Sequence, residues 1–100
     1  MEGFKIPDNK LIVALDADKI CFPLLFRKWQ KGDYFQPLGM NGMKKVSDFF
    51  VDKKLSIAKK EDTWLMTSSG NIAWIVGLRP DDRFKITLDT KRVLVVEYVQ

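Results

Sequence analysis

A chain of 100 residues, 46% hydrophobic and 30% charged, has the size and balance of one soluble domain with a single core, which argues against two domains. Histidine is absent, which removes the commonest general base and metal ligand together with every Ser-His or Cys-His catalytic pair. The 17 lysines and arginines outnumber the 13 acids by four, and the pI near 9.3 favours an anionic partner without proving one.

Residues 11–15 and 20–26 are apolar runs separated by the polar turn Asp16-Ala17-Asp18-Lys19, the pattern of a first antiparallel hairpin. Pro23 cannot donate to a ladder, so the second run is expected at a sheet edge or at a bulge. Cys21 lies within Ile20-Cys21-Phe22 and is expected as a buried, inert thiol; a single cysteine forms neither an intramolecular disulfide nor a thiolate zinc site. Periodicity lapses over residues 27–41, an ordered loop in which a type I turn is placed from Gln36, with Pro37 second and Gly39 fourth. Val46, Phe49 and Phe50 then fall on one helical face, predicting a helix of about three turns over residues 44–54.

A second short helix is expected over residues 56–62, with Ser56 as N-cap. Residues 64–67 and 72–76, aromatic and β-branched about a glycine turn, read as a hairpin that places Trp64 opposite Trp74 in the core. Strands are also expected at 84–87 and 93–99, the latter apolar enough to be covered on both faces. These elements make residues 1–100 one α+β domain, predominantly β: a small antiparallel sandwich or barrel with one main helix. No run approaches the ~20 apolar residues of a membrane span, and Met1-Glu2-Gly3-Phe4-Lys5 lacks the signal-peptide pattern, so a cytoplasmic protein with no membrane partner is expected.

No catalytic or metal site is expected. Gly39-Met40-Asn41-Gly42-Met43-Lys44 lacks the spacing of a phosphate-cradling Walker loop, and Asp81-Asp82 read as turn-forming or solvated. The charge, however, is uneven: residues 27–60 carry nine cations against three acids, a local +6, while the remainder totals −2. Lys44 and Lys45 open the predicted helix, where the dipole disfavours cations; either a phosphate is met there, or Lys44 pairs with Asp48 one turn on. Lys53 and Lys54 sit at the expected C-terminus, where cations belong in any case. Trp29, Tyr34 and Phe35 interleave with Arg27, Lys28 and Lys31, which suits either base stacking or a core.

Read as one string, Arg27-Lys28-Trp29-Gln30-Lys31-Gly32-Asp33-Tyr34-Phe35-Gln36-Pro37-Leu38-Gly39-Met40, then Gly42 and Lys44-Lys45-Val46-Ser47-Asp48-Phe49-Phe50, closely resembles the C-terminal domain of tRNA(Ile)-lysidine synthetases. The resemblance continues through Gly70-Asn71-Ile72-Ala73-Trp74 and Asp82-Arg83-Phe84-Lys85. It departs over residues 55–64, where an arginine of the family pattern is missing and Lys59 or Lys60 could substitute. The resemblance implies a module of a larger ligase that uses ATP to join lysine to the wobble cytidine of an isoleucine tRNA, with ATP and lysine bound by a catalytic domain outside this chain and no cofactor here. It further implies a fold like a module of phenylalanyl-tRNA synthetase and a grip on tRNA(Ile). The expected backbone contacts are Arg27, Lys31, Lys44, Lys45, Lys53 and Lys54, with Gly32, Asp33, Pro37, Gly39 and Gly42 shaping the loop. The alternative is a domain that packs on the catalytic domain, or on a second copy as a homodimer, without touching RNA.

Overall fold

In the computed structural model, which describes residues 9–99, eight strands and two helices follow one another in chain order; the leader reading of residues 1–5 lies outside that range. Strand β1 (Ile12–Asp16) leads through a 3-10 turn (Ala17–Lys19) to β2 (Leu24–Lys28), then to the short strands β3 (Tyr34–Phe35) and β4 (Lys44–Lys45). Helices α1 (Val46–Asp52) and α2 (Ile57–Asp62) precede β5 (Trp64–Ser68), β6 (Asn71–Ile75) and β7 (Arg79–Pro80). A second 3-10 turn (Asp82–Phe84) and β8 (Val93–Glu97) close the fold. All pairing is antiparallel: a central sheet ordered β2-β5-β6-β7, a ribbon β1-β8 and a small pair β3-β4.

The central sheet is covered on both faces, and the two-residue alternation of its strands decides which side chain goes where. Met66 and Trp74 pack with Ile20 and Phe84 against Val13 and Leu15 on the inner face of the β1-β8 ribbon. Leu65 and Ile75, their chain neighbours, join Phe35, Val46, Phe49 and Phe50 under α1 and β3. Edge-to-face ring pairs set the second layer, Phe35 on Phe49 at 5.1 Å and Trp29 on Phe50 at 5.4 Å. The β5-β6 hairpin forms as the sequence predicts, its Ser69-Gly70 turn carrying positive φ at both residues (48° and 89°), the requirement of a type I′ turn. Helix α2 begins where Ser56 accepts the Lys59 N–H at 3.1 Å.

Other expectations are corrected. The first two apolar runs do not pair: β1 joins β8 and β2 joins β5. Asp16 turns its carboxylate inward, accepting from Asp18 N–H and from the Thr90 hydroxyl at 2.9 Å, while Ser68 Oγ bonds both the N–H and the carbonyl of Cys21. These anchors send the two strands to different sheets. Cys21 is exposed, because the segment before β2 runs over the surface rather than inside a strand. Pro23 sits just ahead of β2, which is indeed a sheet edge.

Helix α1 is seven residues long and starts at Val46, because Lys44 and Lys45 are extended and pair with Phe35 and Tyr34. The 84–87 strand is replaced by the 3-10 turn that buries Phe84. In β8 only one face is covered: Leu94 and Val96 pack on the core while Val95, on the opposite face, is exposed. Trp74 opposes Met66 rather than Trp64, which is half-buried at the start of β5.

Asp81 joins the layers. Its carboxylate is fully buried and accepts from Gln36 N–H and Arg83 N–H, both at 2.8 Å, and from the Arg83 guanidinium at 3.0 and 2.9 Å; its own N–H reaches the Ala73 carbonyl. The turn role read from the sequence holds, but this acid is not solvated. Asp81→Ala strands two backbone donors and a half-exposed guanidinium, and is expected to cost about 3 kcal/mol. That lowers the thermal midpoint by roughly 10–20 °C in a domain of this size. A shift of only a degree or two in a calorimetric scan would show that solvent replaces the carboxylate.

Candidate nucleic-acid interface

The turn that leads from β2 toward the basic segment is built on one carboxylate. Asp33 accepts two parallel bonds from the Arg27 guanidinium, each 2.9 Å, and a third from the Gln30 N–H at 2.7 Å. Gly32, at φ +96°, permits the turn that brings the acid back. The Asp33 carbonyl in turn takes the Val46 N–H at 2.9 Å, satisfying a donor at the start of α1, where Lys45 provides no side-chain cap. Burial pushes the Asp33 carboxyl up, but the Arg27 hydrogen bond and the Gln30 N–H outweigh it, so the group titrates below the usual range. The same hydrogen bond raises Arg27. Arg27 thereby shapes the loop.

The turn over residues 37–40 starts one residue later than the sequence indicates. Met40 N–H bonds the Pro37 carbonyl, which puts Gly39 third, at φ +88°, where glycine is required. Pro37 is buried, Gly39 N–H donates to Asp82 at 3.0 Å, and that bond holds the Asp82 carboxyl below its ordinary value. Gly42 has an ordinary φ and open space beside it, so its lack of a side chain is not a conformational need. Leu38, Met40 and Met43 are exposed along this loop.

The lysines divide into engaged and unengaged groups. Lys44 pairs with Asp52 rather than Asp48, because it lies in β4, ahead of the helix, where the i, i+4 geometry does not exist. Lys45 is exposed beside Tyr34, and Lys31 is exposed on the turn after β2. Lys53 caps the C-terminus of α1 with its amine 5.6 Å over the Phe49 ring, and Lys54 follows in the left-handed region at φ +57°. Among the described residues, no ion pair engages these four, nor Lys28, Lys59 or Lys60. Arg27 and Lys44 consume Asp33 and Asp52, so seven lysines of this segment remain against Asp48 alone.

Of the interleaved aromatics, Phe35 is core, Trp29 is half-buried against Phe50, and Tyr34 is exposed. The sequence reading did not single out Lys28 as a contact; its place opposite Trp64 depends on the β2-β5 register, which no local pattern announces. Among the described residues, no three of Cys, Asp and Glu are grouped to hold a metal ion, and no helix is long and apolar enough to cross a membrane.

Residues 24–97 match the family described as the TilS substrate C-terminal domain. The chain is 52% identical over 96 residues to a tRNA(Ile)-lysidine synthase of Parabacteroides distasonis, covering 96% of this chain and 22% of that protein. It is 38% identical to the tRNA(Ile)-lysidine synthase of Caldanaerobacter subterraneus, covering 92% and 20%. The chain therefore spans about a fifth of the length of these curated relatives. A crystal structure of a TilS C-terminal domain superposes with a TM-score of 0.77 at 20% identity, covering 95% of this chain and 74% of that one. An N-terminal fragment of the phenylalanyl-tRNA synthetase β-subunit from Pyrococcus horikoshii shares the fold at a TM-score of 0.70 and 24% identity, covering 84% and 26%.

The Arg27-Asp33 pair yields a signed pH dependence. A carboxylate whose folded pKa lies below its unfolded value of about 3.9 contributes stability that is complete above that value and lost as pH falls through the folded one. Asp33→Asn is expected to cost about 1–2 kcal/mol at pH 7. The difference from the parent chain should close progressively below about pH 4 in urea titrations; a difference that stays constant to pH 2 would show that Asp33 acts by shape alone.

Proposed function

Because the chain belongs to the family of TilS substrate C-terminal domains, we propose that it is the RNA-gripping module of a tRNA(Ile)-lysidine synthase, holding tRNA(Ile) through phosphate contacts while catalysis takes place elsewhere in that protein. The observation that carries this reading is the set of unengaged lysines. Lys31, Lys45, Lys53 and Lys54 keep their charge free of carboxylates on the surface of one basic segment, whereas Arg27 and Lys44 are held in ion pairs. Backbone phosphate is the partner such a surface suits, since ammonium groups act as point charges and duplex RNA offers little base-edge readout. ATP and lysine would be substrates of the parent ligase, bound outside this domain, in a cytoplasmic enzyme.

A second reading has its own observation. Strand β2 is a sheet edge, with Leu25 and Phe26 exposed on it and Phe22 exposed just ahead of it, which suits packing against the catalytic domain or a second copy.

The two readings part on salt dependence. In the full-length protein, reversing Lys45, Lys53 and Lys54 to Glu should weaken tRNA binding at least tenfold at low salt. Each lost phosphate contact should reduce the slope of log K against log salt by roughly 0.7–0.9. Lys44→Ala should change the slope less than Lys45→Ala, since Lys44 is already neutralised by Asp52. Unchanged slopes in all of these, with Leu25→Glu disrupting activity or assembly, would favour the packing role.

A further inference from the structure

On the side of the molecule where β2 meets α2, a groove of about 410 Å³ opens between Lys28, Lys59, Asp62, Trp64 and Tyr98. Its size falls within the range of small-ligand sites. Lys28 and Lys59 come from different elements, and among the described residues neither is in an ion pair. The Lys28 ammonium instead lies 4.0 Å from the centroid of the Trp64 ring, a cation resting on an indole that is itself half-buried. We propose that this groove takes one unpaired nucleotide of single-stranded RNA, its base stacked on the Trp64 indole and its phosphate held by Lys28 and Lys59.

The ammonium on the ring is a placeholder. Stacking of a base on an aromatic face is stronger than the contact of an exposed cation with the same face, so an arriving base displaces Lys28. The displaced amine remains at the groove and meets the phosphate that arrives with the base, so the exchange loses no favourable charge contact. Stacking tolerates any base, which predicts binding with little sequence preference. Tyr98, just beyond β8, also lines the groove. The site deepens the RNA-gripping reading and rests on it, adding an unpaired nucleotide to a surface otherwise suited to duplex backbone.

The probe is a short oligouridylate carrying 4-thiouridine, irradiated with the full-length protein and mapped by mass spectrometry. Crosslinks are expected on the peptides that contain Trp64 or Tyr98. Trp64→Leu should weaken binding of the oligonucleotide at least fivefold. The surface double variant Lys28→Ala with Lys59→Ala, which leaves the packed core untouched, should reduce the groove crosslink at least tenfold. Crosslinks that all map outside the groove, or that keep their yield in the double variant, overturn the proposal. Blunt duplex RNA is titrated in parallel: if it binds with a lysine-dependent salt slope while the groove stays unlabelled, this inference alone falls. If neither RNA binds, the RNA-gripping reading falls with it.

Discussion

The buried carboxylate of Asp81 is the constraint on which the arrangement depends. A charge with no solvent access survives only when its acceptor positions are filled, and here they are filled by Arg83 and by the backbone N–H groups of Gln36 and Arg83. Gln36 follows β3 and Arg83 lies in the 3-10 turn after β7, while the Asp81 N–H is tied to Ala73 in β6. The bridge between Pro37 and Asp81 continues the same seam. One side chain thus fixes the approach of the 36–40 loop to the central sheet. Asp33 repeats the device at the other end of β3, joining Arg27, Gln30 and, through its carbonyl, the first turn of α1. The stretch between these anchors, residues 34–36, is thus held at both ends by an acid.

That division of labour bears on how basic residues are read. Charge counting alone treats Arg27 and Lys44 as equal to Lys45 and Lys54, yet the first two are occupied within the fold. The guanidinium fork matches a carboxylate in two parallel bonds, and Arg27 uses it for that purpose. Exposed lysines lose little by waiting in solvent, so the free charge gathers on them. The family resemblance points to the segment; the ion pairs separate Arg27 and Lys44 from the lysines that have no carboxylate partner among the described residues.

What was legible in the sequence was whatever local chemistry decides. Ser56 caps α2, the Ser69-Gly70 turn closes β5 on β6, and Val46, Phe49 and Phe50 share the buried face of α1. Pairings between distant segments were not legible. Asp16-Ala17-Asp18-Lys19 has the composition of a hairpin turn, but the Thr90 hydroxyl and the β8 strand claim Asp16 and β1 from more than 70 residues away. The same long-range choice left Cys21 exposed and Val95 uncovered. At the candidate site, the lysine-rich segment was visible as composition, whereas the Lys28-Trp64 contact required the β2-β5 register and the Lys44-Asp52 pair required the helix to begin two residues late. Only the family resemblance linked these features to tRNA.

The β1-β8 ribbon has a mechanical corollary. Its register places Ile12 beside Glu97 and Asp16 beside Val93, so the outer ends of the two strands leave the domain together. Tension applied through both flanks therefore loads the hydrogen bonds one rung at a time, starting at the Tyr98 N–H to Leu11 carbonyl bond, instead of shearing them all at once. The ribbon would peel open at low force and expose Met66 and Trp74 beneath it, however stable the domain is to heat or denaturant.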